Sequence, residues 1–392
     1  MTTKHIPLSV LDLAPISSGS TAAAALANTV DLARLADRLG YHRYWLAEHH
    51  LSPGLASSAP AVVIGQVAAA TQRIRVGSGA TLLGFQTPLS VVEHFSTLAA
   101  FFPGRIDLGL GRGSGSPVRD ANGTGESDRA RHVGGLLIPA RPTPRPLVAH
   151  RREARDRLLT LPGALARDFG SIVDDIFSLL GGEAHPEVGG NGNDYGDVQD
   201  DDELILRASP GYGSQLDVWV LGSSAGESAR VAAERGLPFA ANYHVSPASV
   251  LEAVDAYRRD FRASKAYPRP HVMVSADVLI ADTTEAARAR ARPYAAWVQS
   301  IRQGGGAIPY PSEAEAARIE IDPTLVTDRV STQFVGTVDE VVPALRTLCR
   351  VTEADELVVT TIAHHHADRL RSYALLGEAW VQHADLRSAL PA

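Results

Sequence analysis

Gly104-Arg105-Ile106-Asp107-Leu108-Gly109-Leu110-Gly111-Arg112-Gly113 is the stretch that decides the fold. Ile106, Leu108 and Leu110 alternate with Asp107 and with glycines, the period of a strand with one crowded face. The strand runs straight into Arg112, so a guanidinium emerges where the strand ends. Two readings are open at this point. The planar fork of an arginine suits a bidentate contact with a phosphate. Alternatively, the glycines only relieve crowding inside a barrel and Arg112 pairs with a nearby acid.

Strand patterns of this kind recur on both sides and alternate with helical periodicity. Strands are expected at about residues 6–13, 44–47, 74–81, 104–113, 216–221, 239–243, 271–280 and 357–361. Helices are expected between them, the first ended by Gly40 and others beginning near Pro60, Pro88, Ala164, Ala225, Pro247, Thr283 (one helix to about Arg302), Val338 and Ala367. Eight strands favour a closed (β/α)₈ TIM barrel, an α/β fold, over an open doubly wound sheet. The chain then reads as a single barrel domain over residues 1–392, with irregular insertions at 113–165 after strand 4 and at 303–325 after strand 7. The first insertion is rich in arginine and reads either as a lid or as a solvated, mobile loop. An acidic stretch from Asp194 through Asp197 and Asp200 to Glu203 lacks the spacing of a calcium loop.

Composition removes several function classes. The 392 residues are 45% hydrophobic, enough for a sizeable core, and a net charge of −7 offers no general attraction to nucleic acid or an anionic membrane. Any phosphate contact must therefore be local. A lone Cys349 rules out an internal disulfide framework and a four-thiolate metal site. No apolar run approaches a membrane span, and the amino terminus lacks the pattern of a signal peptide, so a cytoplasmic location is expected. Lysine occurs only at positions 4 and 265, so nearly all basic charge is arginine and a single arginine carries less information than usual.

In such a barrel the chemistry sits at the carboxyl ends of the strands. Collected there are Asp12, Glu48-His49-His50, Gly79-Ala80-Thr81, Arg112, Gly222-Ser223-Ser224, His244 and Thr360-Thr361. Gly222-Ser223-Ser224 with Ser228 follows a strand and opens a helix, whose first turn offers free N–H groups and a partial positive charge. Those groups would hold a phosphate, unless Ser223 or Ser224 simply caps the helix. Neither a dinucleotide glycine fingerprint nor a Walker motif is present, so a mononucleotide fits better than NAD or ATP. His364-His365-His366 invites a metal reading, and a barrel metallohydrolase is a competing class. Adjacent histidines rarely converge on one ion, and no carboxylate stands at ligand spacing, so no metal is expected.

Ala47-Glu48-His49-His50, Val76-Gly77-Ser78-Gly79-Ala80, the stretch Gly104 to Gly113, the Leu-Gly-Ser-Ser turn within Trp219 to Gly236, and the closing Val359-Thr360-Thr361 with Arg369-Leu370-Arg371-Ser372-Tyr373 resemble, as a set, the bacterial luciferase-like family of flavin-dependent monooxygenases. The resemblance implies a barrel that binds reduced FMN at its mouth, is usually a homodimer, and receives its flavin from a separate NAD(P)H-dependent reductase. It implies reaction of reduced FMN with O₂ through a C4a-hydroperoxide and oxidation of an organic substrate, aromatic or a polycyclic natural-product intermediate. Carried across, Arg112, Gly222, Ser223, Ser224 and Ser228 match the flavin-phosphate contacts. Gly79 and Ala80 match the strand end beside the ring, where the family often has a non-proline cis peptide, and the glycines of 104–113 would clear space beside the flavin. His49 matches the active-site histidine, with His50 and His244 as further candidates; the alternative for His49 is a structural pair with Glu48. Where some luciferases carry a cysteine before the phosphate arginine this chain has Gly111, so no thiol is expected against the flavin. A deazaflavin-dependent oxidoreductase and a non-catalytic flavin-binding protein are the remaining alternatives.

Overall fold

Eight parallel strands hydrogen-bond in a closed ring: β1 (Leu8–Asp12), β2 (Arg43–Leu46), β3 (Arg75–Ser78), β4 (Ile106–Gly111), β5 (Asp217–Gly222), β6 (Phe239–Ala241), β7 (Val272–Ile280) and β8 (Glu356–Thr360). Pairing of Leu8 with Leu357 and of Val272 with Phe239 closes the ring. The computed structural model describes residues 6–113, 129–142, 157–159, 167–181 and 208–388. Residues Asp194 to Glu203 of the acidic stretch, and 114–128, 143–156 and 160–166 of the arginine-rich one, lie outside them.

The strands are buried on both faces, and this is why β7 reads as the near-continuous run Val-Met-Val-Ser-Ala-Asp-Val-Leu-Ile. Outer helices pack one apolar stripe on the barrel. Thr21 caps Ala22–Arg38 by accepting from the Ala24 N–H at 3.1 Å, and Thr87 does the same for Pro88–Phe101 through Ser90. Gly40 follows the first helix with φ +77°, the left-handed conformation that glycine adopts without cost. Among the described residues no helix is long and apolar enough to cross a membrane.

Three local expectations are corrected. The helix expected over 283–302 is two, Thr284–Ala291 and Pro293–Arg302, because Pro293 has no N–H to continue the ladder and serves as the first residue of a new helix. The stretch expected to be irregular over 113–165 contains a hairpin, Arg131–Val133 paired antiparallel with Leu136–Ile138 through Gly134-Gly135. Leu136 and Ile138 are buried, Tyr243 donates to the Leu137 carbonyl at 2.7 Å, and Arg350 donates to that of Gly134 at 2.7 Å. The stretch 303–325 likewise holds the short helix Glu313–Ala316, closed by a capping box between Ser312 and Glu315, and a 3₁₀ turn Pro323–Leu325.

Gly109 of β4 does different work from that expected of these glycines. A Cβ on Gly109 would lie 2.1 Å from the Ser78 carbonyl oxygen, so this glycine lets β3 and β4 approach. The Ser78 hydroxyl then bridges the strands, donating to the Gly109 carbonyl at 2.9 Å and accepting from its N–H at 3.1 Å. Only Gly111 and Gly113, at the strand's end, face the barrel mouth.

The amino-terminal end of the barrel is closed by charge. Arg43, the first residue of β2, donates to Asp107 at 2.8 Å, Asp217 at 2.9 Å and Glu356 at 3.0 Å, and lies 4.9 Å over the Trp219 ring. Trp45 and Arg75 also donate to Asp107, and Tyr267 to Asp217. Burial pulls the Glu356 carboxyl up, and a hydrogen bond with His271 at 3.1 Å together with the charge and hydrogen bonds of Arg43 holds it down to about 2.

Candidate active site

The carboxyl ends of the strands surround a cavity of about 1120 Å³. It is lined by all of His49, His50, His244, Gly79, Ala80, Arg112, Gly222, Ser223, Ser224 and Ser228. The ends of five different strands, distant in sequence, therefore meet in one wall.

On one side, β5 delivers Gly222 and the loop Ser223-Ser224 to the helix Glu227–Glu234. Gly226 is the N-cap of that helix and no side chain caps it, so neither Ser223 nor Ser224 performs the capping role. Ser223 is held from behind: its hydroxyl accepts from the Asn242 amide at 3.1 Å, and its carbonyl accepts from the Ser249 hydroxyl at 2.5 Å. Arg112 reaches the same turn and meets Glu227 at 3.4 Å, so the pairing with an acid that was one of the two open readings is present. This contact is long and its partners are 39% and 27% exposed, which leaves the guanidinium available to a stronger anion.

Along the next wall the Gly79–Ala80 peptide is cis, with Gly111 of β4 against it. Beyond it comes the histidine run after β2. His50, not His49, pairs with Glu48, at 2.8 Å. Glu48 also accepts from the Leu82 N–H at 2.9 Å and from the Gln86 amide, which ties the β2 end to the segment after β3. The structural pair with Glu48 considered for His49 thus belongs to its neighbour. His49 donates its backbone N–H to the Ser57 carbonyl, and its buried Nδ1 has no partner among the described residues. Across the cavity, His244 contacts the Ser275 hydroxyl through Nδ1 at 2.6 Å.

The fit of a flavin mononucleotide can be judged on these atoms. A guanidinium, three hydroxyls and an uncapped helix N-terminus form a donor set for a phosphate monoester. The wall of Gly79, Ala80 and Gly111 leaves room for a planar ring, and the His49 imidazole lines the same cavity.

The sequence pattern of the luciferase-like monooxygenases matches residues 6–134 and 194–352. The chain belongs to this family. A luciferase-like monooxygenase of Escherichia coli (strain K12) is 34% identical over 377 residues, covering 96% of this chain and 97% of the relative. The crystal structure of apo-MsnO8 is 31% identical with a TM-score of 0.74, covering 96% and 98%. An FMN complex of the oxygenating constituent of 3,6-diketocamphane monooxygenase from Pseudomonas putida shares the fold at 17% identity and a TM-score of 0.64, covering 96% and 98%.

This luciferase-like barrel also places at the cavity residues that the sequence did not single out: Asn242, Ser249, Trp297 and Arg329. Asn242 stands two residues before His244, and that spacing was a usable signal. Arg329 follows a stretch without periodicity and had none. The metal reading finds divergent histidines: His364 contacts the Tyr310 carbonyl at 3.1 Å and His366 contacts Asp31 at 3.0 Å.

Burial disfavours charge on His49 and His244 of this luciferase-like chain. Desolvation, with His50 adding repulsion, pushes His49 down to about 4. Desolvation, with Arg329 and His49 nearby, pushes His244 down to about 3. Both are neutral at neutral pH. Because each binds its proton less readily folded than unfolded, stability is fully present above pH 6.5 and is lost as pH falls toward about 4 for His49 and about 3 for His244. The melting temperature should drop across that window, and His49→Gln/His244→Gln should flatten part of the slope; an unchanged slope would contradict the burial assignment.

Proposed function

We propose that the chain is the oxygenase of a two-component, FMN-dependent monooxygenase that oxidises a small organic substrate. The observation that carries this reading is the convergence, in one cavity, of the Arg112 and serine-loop donor set with neutral His49 and His244. Reduced FMN, when bound, supplies the electrons that activate O₂. Every other part is the work of the protein.

Arg112, Ser223, Ser224 and Ser228 hold the phosphate, with the N–H groups of the turn at Gly226 and Glu227. Gly79, Ala80 and Gly111 make a wall that a flat ring can lie against. Leu11, Ala47, Trp297 and Ile301 exclude water from the reacting face. His49 offers its imidazole to hold or move a proton there, and as a neutral ring it can do either at neutral pH. His50, held by Glu48, positions the strand end. The reductase is a separate protein, supplying reduced flavin in trans.

The test supplies reduced FMN, or a reduced deazaflavin, anaerobically, measures binding, and then follows oxygen uptake in a reductase-coupled reaction with candidate aromatics by mass spectrometry. FMN binding with oxygen-dependent product is expected; preference for the deazaflavin without oxygen uptake would overturn the reading in favour of hydride transfer. With a substrate found in this way, His49→Ala should keep its FMN affinity but release most reducing equivalents as hydrogen peroxide. Product yield equal to that of the unmodified protein would remove His49 from the chemistry.

A further inference from the structure

We infer that the cavity wall built by Arg329 and Trp297, with Tyr294 packed behind it, is a recognition site for a carboxylate on the substrate, set apart from the phosphate end. The inference rests on the reading of this cavity as the monooxygenase site. It names the substrate class as an organic acid whose apolar body lies in the cavity.

Arg329 lies in the short helix Thr327–Val330, lines the cavity and is 7% exposed. Its hydrogen bonds to the Tyr294 hydroxyl at 2.8 Å and to Asp277 at 3.3 Å both run through Nη2. Its buried Nε has no partner among the described residues. The Tyr294 and Trp297 rings lie 5.4 and 5.8 Å from the guanidinium carbon and fix its plane. A guanidinium is always charged and carries five N–H donors, and among the described residues Arg329 bonds through Nη2 alone, so the guanidinium on this cavity wall has donors left for an acceptor.

The neighbouring acids do not complete it. Asp277 forms an ion pair with Nη2 at 3.3 Å and also accepts from the Tyr294 hydroxyl, so it answers one nitrogen of the fork and leaves the others. Asp328 lines the cavity but is taken by Arg302, which binds both its oxygens, one at 2.7 Å. His244, the remaining titratable neighbour, is neutral at neutral pH and contributes no anion. The fork is therefore held through one nitrogen, with donors left over on the cavity wall, and a carboxylate matches them better than a neutral carbonyl does. Arg112 and the serine loop stand on β4 and β5, whereas Arg329 follows β7, so flavin phosphate and substrate carboxylate do not compete for one cation.

The experiment is calorimetric titration of the flavin-free full chain with a series of monocarboxylates, from acetate to 4-phenylbutyrate, each paired with its amide. At least one carboxylate should bind ten-fold or more tightly than its amide. Arg329→Gln should abolish that difference while leaving the amide affinity unchanged. Arg329→Lys, which keeps the charge and loses the planar fork, should narrow it, and serves if the glutamine variant does not fold. No carboxylate held better than its amide, or a difference that persists in the variants, overturns the inference. So does loss of FMN affinity in Arg329→Gln with the carboxylate preference intact, because Arg329 would then belong to the flavin. The titration needs neither flavin nor oxygen: a carboxylate preference without FMN binding would refute the flavin reading alone.

Discussion

Arg112→Ala should weaken binding of reduced FMN by about 1.5 to 3 kcal/mol, the scale of a lost hydrogen bond to a charged group, which is roughly a 10- to 150-fold rise in Kd. The arginine stands at the end of β4, where the turn before Glu227–Glu234 presents uncapped N–H groups and Ser223 is held in place by Asn242 and Ser249. Its contact with Glu227, at 3.4 Å between partly exposed groups, contributes little to folding. The melting temperature should therefore stay within a degree or two of the unmodified protein's. Anaerobic fluorescence titration with reduced FMN measures the first quantity and a thermal melt the second. Unchanged affinity would remove Arg112 from the site.

A second large effect is expected at the other end of the barrel, on stability and not on binding. Arg43→Ala should lower the unfolding free energy by about 3 to 5 kcal/mol, the cost of breaking a buried ion pair from one side. Arg43 is the shared partner of Asp107, Asp217 and Glu356, and its side chain is 6% exposed. Arg75 can still answer Asp107, but Asp217 and Glu356 would keep only neutral hydrogen-bond donors and His271. Urea unfolding followed by tryptophan fluorescence reads the change, and a loss below about 1 kcal/mol would mean that the network is not a unit. FMN affinity should not move, because the cavity lies at the opposite ends of the strands.

Much of the fold was legible before any coordinate. The barrel followed from eight buried runs alternating with helices, because burial on both faces leaves a continuous apolar signature. Two misses were also legible. Gly134-Gly135 between Arg-His-Val and Leu-Leu-Ile is a hairpin signal, lost because strands of three residues barely register as periodic. Pro293 announced a helix break that a single span over 283–302 ignored. The role of Gly109 was not legible, since a glycine in a strand looks the same whether it admits a ligand or, as here, the backbone of Ser78.

The candidate site divides in the same way. That strand-end residues such as Arg112, Ser223 and His49 would share a mouth follows from topology, which places every parallel strand's carboxyl end on one face. Which partner each meets does not. Adjacent histidines leave the same strand, and only the packed loops decide that His50 takes Glu48 while the His49 nitrogen stays unpartnered. Arg329 joins the wall from a stretch with no periodic signal at all.

Taken alone, the sequence determined the parallel barrel, its chain order and the end at which chemistry gathers, because these depend on local periodicity and on the handedness of βα units. Only the tertiary structure decided the charge pairings: Arg43 with Glu356, 313 residues away, and Arg369 with Asp12, 357 away. Such contacts depend on register and closure around the whole ring, and a one-residue slip in any strand would turn the side chain to the other face.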